Sequence, residues 1–304
     1  VGWMTLVLIA SAAGAFCSFL DNYIVDVIFR GKTPQAQKVF YGPMHLLMAA
    51  LFAIWFGIEA LELRVVISLI LSGFIGCGSS IFYYKALVYE DTTGASIFTQ
   101  IAPVLYLIFG WLFLGEVIST LQLVAFLIFL SAPLLIVLFK RRRGQKIGWK
   151  VAGLFGLYLL GLTLAHTLFV KTVAETDLKF TTVMFYVFIG KGLFNCLATA
   201  VNKKWRKRFK AVWRREGPLV VSSLMIVFIM GVVEDFVLRL AMTMAPIALA
   251  SAMVCSLRPV VVFLMGIVLT LIWPNFGREK LDKKSILVHL TAILLLILGV
   301  LLLQ

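Results

Sequence analysis

Charge is what this sequence has least of. Only 14% of its 304 residues are Asp, Glu, Lys or Arg, against 62% hydrophobic residues and 25 Phe. A chain so poor in charge cannot cover itself with a wet surface, and no polar stretch is long enough to form a soluble domain. Histidine and cysteine are equally sparse, at three and four residues. Cys17, Cys77, Cys196 and Cys255 fall singly within apolar runs, without CxxC or Cys/His ligand spacing. They read as small packing residues, so no disulfide framework and no metal site is expected. No GxxxxGK[ST] loop is present to cradle nucleotide phosphates, which excludes an ATP-driven pump for this chain alone. No HExxH, no GxSxG and no pair of midplane aspartates occurs either, so neither enzymatic activity nor a cofactor is expected.

What the chain does have is apolar length. Runs of about 20 residues, enough to cross roughly 30 Å of hydrocarbon, lie near 3–25, 36–57, 65–84, 93–114, 118–139, 151–171, 180–201, 218–238, 246–272 and 285–303. The expected fold is therefore an all-α polytopic membrane protein with ten transmembrane helices. The first run is too long, and too plainly continued by Asp21, Asn22 and Asp26, to be read as a cleaved signal peptide. Residues 65–84 carry Gly73, Gly76, Gly78, Ser79 and Ser80, small residues that let backbones approach closely in lipid, so this run should be central.

Two blocks resemble each other. FYYKAL from Phe82, followed by GAS, Pro103 and FLGE, is answered by FVLRLA from Phe236, then APIALAS and Pro259, with a two-residue slip. Such similarity implies an internal duplication. Each copy holds five runs, an odd number, so the second enters the membrane from the opposite face as an inverted repeat. The boundaries read as residues 1–139 for the first repeat, 140–150 for a basic linker and 151–304 for the second repeat.

Orientation follows from the 28 Lys and Arg, most of which fall in alternate links; the opposite links hold only Arg64, Lys171, Lys179 and Arg239. The positive-inside rule makes the basic links, including 140–150 and 203–215, cytoplasmic. Within the last of these, Trp205, Phe209, Val212 and Trp213 recur at helical spacing among Lys and Arg. A surface helix follows, with rings sunk among anionic headgroups. The net charge of +14 is accounted for by these loops, and no nucleic-acid partner is expected.

The candidate site residues are the polar groups that cannot easily reach water. Asp21 lies at the far end of the first run and reads either as a solvated helix end or as a carboxylate that binds a proton or cation. Lys191 and Arg258 sit near the midplane, where charge is costly and faces a cavity or a partner. Each cation is offset either by a carboxylate such as Asp21 or Glu234 or by an anionic cargo, and the cargo is the favoured offset for Arg258. Gln100, Tyr83, Tyr84 and His166 complete the set of substrate-binding candidates. Pro103 and Pro259 are expected at helix breaks beside a cavity, because neighbouring helices there can satisfy the freed carbonyls. His45 reads as a packing or hydrogen-bonding residue.

Two five-helix halves, a YKAL…GAS…P…FLGE block and a degenerate LRLA…APIALAS…RP block resemble the drug/metabolite transporter superfamily of the EamA type, over almost the whole chain. The polar SFLDNYIVD stretch is similar to one common there. The resemblance implies a secondary carrier, an exporter working by alternating access, in the cytoplasmic membrane of a prokaryote, as a monomer or homodimer. The small-molecule substrate implied by the cations is an amino acid or another anionic or zwitterionic solute. An exporter of organic cations using Asp21 against an aromatic wall of Tyr83, Tyr84, Phe98 and Tyr106 is the alternative, and a non-transporting scaffold or lipid-handling protein is a third reading.

Overall fold

A computed structural model describes residues 2–89, 99, 101–141, 149–176, 178–272 and 283–302, and all regular structure among them is helical. Helix α1 (Trp3–Tyr23) runs on through a π-helical turn at Ile24–Ile28. There follow α2 (Lys38–Phe56), α3 (Leu63–Ala86), and α4 (Ala102–Phe109) with a π turn at Gly110–Leu114. Next come α5 (Thr120–Arg141), α6 (Trp149–Ala174) and α7 (Phe180–Val201). The chain ends with α8 (Lys203–Glu216), α9 (Pro218–Met244), α10 (Ile247–Ile272) and α11 (Lys283–Leu301). Six of these segments are long and apolar enough to cross a membrane. Exposed Leu, Ile, Phe and Trp side chains lie along most of them, as expected where the surrounding solvent is hydrocarbon.

Among the described residues each apolar run contains a helix, most with ends shifted by a few residues. Helix α9 reaches Met244 instead of stopping at 238. Arg239 is thereby carried inside and is only 1% exposed; it is a core residue, not an outer-link charge. Lys38 is a second buried cation, the first residue of α2 and 1% exposed.

Helix α3 is central, packing along both α6 and α7. Lipid tails are as apolar as leucine, so helices gain little from hydrophobic burial in a bilayer and must approach closely enough for dispersion. Gly73 and Gly190 allow this. A Cβ at Gly73 would come within 2.1 Å of the Val187 carbonyl oxygen, and one at Gly190 within 2.0 Å of that of Ile70. The obstacle in both cases is backbone, which cannot turn aside as a side chain can. Gly73→Ala or Gly190→Ala is therefore expected to cost at least about 1–3 kcal/mol, read as a fall in the unfolding temperature of the purified protein. At Gly153, where nothing lies within 4 Å, the same change should be silent.

The FLGE ending has a physical role. Gly115 adopts φ +66°, the left-handed conformation that closes a helix. Glu116 then turns back, and its carboxylate accepts the Ile247 N–H with both oxygens at 3.1 Å. This caps the positive N-terminal end of α10. Burial raises the carboxyl above its usual range, while the Ile247 N–H pulls it down. Nearby in sequence to α3, Glu59 meets Lys179 at 3.1 Å, and that ammonium holds the Glu59 carboxyl below its usual range.

Helix α8 is amphipathic as expected, but much of its apolar stripe packs on protein. Trp205 and Val212 are buried, and Phe209 packs partly buried, against Ile24, Ile28 and Phe29 at the end of α1 and Val220 and Leu224 of α9. Trp213 remains 46% exposed. Arg208 donates to the Phe29 and Lys32 carbonyls and Arg215 to that of Ile28. These guanidinium groups cap the end of α1 just where Arg30 and Thr33 take positive φ.

Pro259 lies within α10, and Pro103 sits in the first turn of α4, where a missing N–H costs least. Pro103 is buried, and its neighbours Ala102 and Tyr106 line the central cavity.

Candidate functional site

A cavity of about 470 Å³ lies among α1, α2, α3, α4, α6, α7, α9 and α10. Asp21, Tyr83, Tyr84, His166, Lys191, Arg258 and Pro259 all line it. Gln100 and Phe98 lie outside the described residues. Residues from distant parts of the chain converge there because the helices that bear them cross at small residues, as α3 and α7 do at Gly73 and Gly190.

The two sequence-predicted cations each have a carboxylate neighbour on α9. Lys191 Nζ is 2.9 Å from Asp235 Oδ2. Arg239 Nε, one turn along α9, donates to the other oxygen of the same carboxylate at 3.1 Å. Arg239 is further fixed by Ser72 Oγ at 3.1 Å and by the ring of Phe169, whose centroid is 4.6 Å from the guanidinium carbon. Arg258 is paired with Glu234. This pair lies against Gly14, where a Cβ would collide with both partners. Neither Lys191 nor Arg258 is thus a bare cation, and a fixed carboxylate supplies the offset at both.

His166 belongs to the same network, with the Tyr106 hydroxyl 2.7 Å from Nδ1 and Asp235 Oδ1 4.0 Å from Nε2. Tyr106 therefore stacks on His166 instead of joining Tyr83 and Tyr84 in one wall. Those two pack on each other at 5.2 Å, and Tyr83 packs on Tyr158 at 5.1 Å. His45 donates through Nδ1 to the Tyr41 carbonyl at 2.7 Å and packs edge-on to Phe228.

Asp21 differs from the other cavity carboxylates. It is 7% exposed, and its polar neighbour is the Tyr84 hydroxyl at 3.4 Å. Among the described residues no Lys, Arg or His lies within ion-pair distance of it. Close by, the Tyr41 hydroxyl lines the same cavity and has no hydrogen-bond partner among the described residues.

Sequence reasoning missed Lys38 and Arg239, both lining the cavity, and named Glu234 but not Asp235 as a pairing partner. For Arg239 a signal existed: it stands four residues after Asp235, the spacing of a helical ion pair. For Lys38 no local signal distinguishes a buried cation from a loop cation.

The EamA-like transporter family model matches residues 3–138. This match, over residues 3–138, places the first part of the chain with the drug/metabolite transporter superfamily. A solved structure titled "Crystal structure of protein" is similar to this chain at a TM-score of 0.60 and 13% identity, over 96% of this chain and 97% of that one. At that identity the likeness shows the fold alone. No curated protein matches the sequence. The match and the apolar helices together support an integral membrane protein.

Proposed function

We propose that this protein is a secondary transporter of small polar solutes, an exporter working by alternating access, with Asp21 as the group that exchanges a proton or cation for cargo. The observation that carries this is the division of charge in the cavity. Glu234 and Asp235 are held by Arg258, Lys191 and Arg239, whereas among the described residues Asp21 has no cation within ion-pair distance and meets the Tyr84 hydroxyl. An ionised carboxylate in such a place is costly unless a cation or proton joins it, so its occupancy can be coupled to cargo.

Packing supports two five-helix halves related as an inverted repeat. Superposing α1, α2, α3, α4 and α5 on α6, α7, α9, α10 and α11 turns the α3–α6 contact into α9–α1, and α1–α10 into α6–α4; both members of each pair occur. The α2–α7 and α5–α11 contacts map onto themselves. The most unequal pair is α3–α7, which packs extensively, against α9–α2, which barely touches. Exchanging that inequality between the halves would close one side of the cavity and open the other, which is what alternating access requires.

Flux measurements in proteoliposomes test the reading. Counterflow of labelled solutes, with and without an imposed pH gradient, should show saturable transport; a scaffold would show none. The Tyr83, Tyr84 and Tyr158 rings beside Asp21 favour organic cations as a second reading, and a cationic dye set against amino acids in the same vesicles decides between them. Orientation is tested by cysteines at Lys207 and Lys284 in a Cys-free background. With basic links cytoplasmic, both should resist impermeant thiol reagents in intact cells and react after lysis; labelling from outside would reverse the topology. Trp213 and the exposed Lys and Arg of α8 are placed by the same topology against anionic headgroups.

A further inference from the structure

Lys38 is the cation of the cavity that stands outside the ion-pair network. Its ammonium is 1% exposed and is surrounded by neutral acceptors from two other helices: the Cys77 carbonyl at 3.0 Å, Ser80 Oγ at 2.8 Å and Asn195 Oδ1 at 3.2 Å. The Phe194 ring lies 5.3 Å away. Among the described residues no carboxylate approaches it. Three neutral oxygens satisfy its three N–H bonds but leave its charge uncompensated, and a buried cation without a counter-charge is costly.

We propose that Lys38 is the anion-binding group of the cavity and holds the carboxylate or phosphate of the cargo. This rests on the transporter reading above and adds to it the chemical class of one end of the substrate. The neighbours suit the role because two of them can reverse their polarity. Ser80 has a hydroxyl proton, now given to the Cys77 carbonyl at 2.8 Å, and Asn195 carries an amide N–H2 beside its oxygen. An entering anion would accept a hydrogen bond from the ammonium, which keeps its proton, while the serine hydroxyl and the asparagine amide turn to donate to it. The site would then offer donors from α2, α3 and α7 together. With Asp21 on another wall of the same cavity, a cargo bearing both an acidic and a basic group is accommodated.

The test uses the purified full chain and three probes: propionate, inorganic phosphate and propylamine, the last being the matched amine without an acid. Binding is read by thermal shift and by equilibrium titration. Propionate or phosphate should stabilise the wild type where propylamine does not do so through Lys38, and which of the two binds more tightly identifies the acid. Lys38→Met should weaken the acid probe by about thirtyfold or more, as when one member of a buried, hydrogen-bonded charge pair is removed, and leave propylamine unaffected. Because Lys38→Met could also unfold the protein, Asn195→Asp is the second variant. It places a fixed carboxylate beside the ammonium without changing side-chain size, and should leave the protein at least as stable while abolishing acid binding. Acid binding undiminished in Asn195→Asp or in a folded Lys38→Met, or no binding of either acid probe to the wild type, would overturn the proposal. The transporter reading is judged separately by flux. Saturable transport indifferent to Lys38→Met sinks only the anion site, whereas acid binding that depends on Lys38 without any flux sinks only the carrier.

Discussion

Asp21→Asn is expected to abolish gradient-driven transport in reconstituted vesicles while leaving the protein folded and cargo exchange detectable. Asparagine matches the shape of aspartate and can still accept the Tyr84 hydroxyl, now 3.4 Å from the carboxylate. What it loses is the charge and the exchangeable proton. Since no basic residue compensates Asp21 among the described residues, removing its charge takes away a desolvation cost and leaves no cation stranded. The unfolding temperature should hold or rise, by roughly 2–4 °C for each kcal/mol relieved. Uphill accumulation should fall to background. These two outcomes together distinguish a coupling group from a structural one, because a carboxylate that merely joined helices would lose stability on substitution. Undiminished accumulation by Asp21→Asn, at wild-type protein levels, would exclude Asp21 from coupling.

The helices were legible because a bilayer allows few solutions. A backbone that must satisfy its own hydrogen bonds over about 30 Å writes long apolar runs, and among the described residues the runs place most of the helices within a few residues, apart from α8, whose cations and rings announce a surface helix. Central placement of α3 was legible for a related reason: Gly73, Gly76 and Gly78 have no function in a helix except close approach, and Gly73 indeed faces the Val187 carbonyl. Partnership was not legible. The apolar stripe of α8 says that one face is covered but not by what, and Trp205 and Val212 turned out to cover the end of α1. Lys38 stands at a helix start after a polar link, where most lysines are wet, and only the arrival of Cys77, Ser80 and Asn195 from two other helices makes it a cavity residue. In the same way Lys191 and Arg258 were recognisable as costly charges and Glu234 as one partner open to them, whereas Asp235 beside it on α9, and which carboxylate meets which cation, had to be found in space.

That placement decides the expected behaviour of Arg258. An arginine within a membrane helix needs an offset of about 2.5–3.5 kcal/mol on insertion scales, and Glu234 is in contact with it. Arg258→Ala should then strand Glu234 and lower the stability of the ligand-free protein by about 3 kcal/mol, the low end for buried pairs, because the cavity leaves both side chains partly wet. Glu234→Ala should cost a similar amount by stranding the arginine. The informative variant is the double one. Replacing both by methionine removes two desolvation penalties along with the attraction, so the Arg258→Met/Glu234→Met protein should regain most of the stability that either alanine variant loses. Arg258→Lys should fall between, since an ammonium keeps the charge but not the planar fork. Thermal unfolding without ligand measures all four. If cargo rather than Glu234 compensates Arg258, the pattern inverts: Arg258→Ala is as stable as wild type or more so when empty, its loss appears only as failure to be stabilised by ligand, and the double variant gains nothing over it. The contact with Glu234, packed against Gly14 where no side chain fits, favours the first pattern.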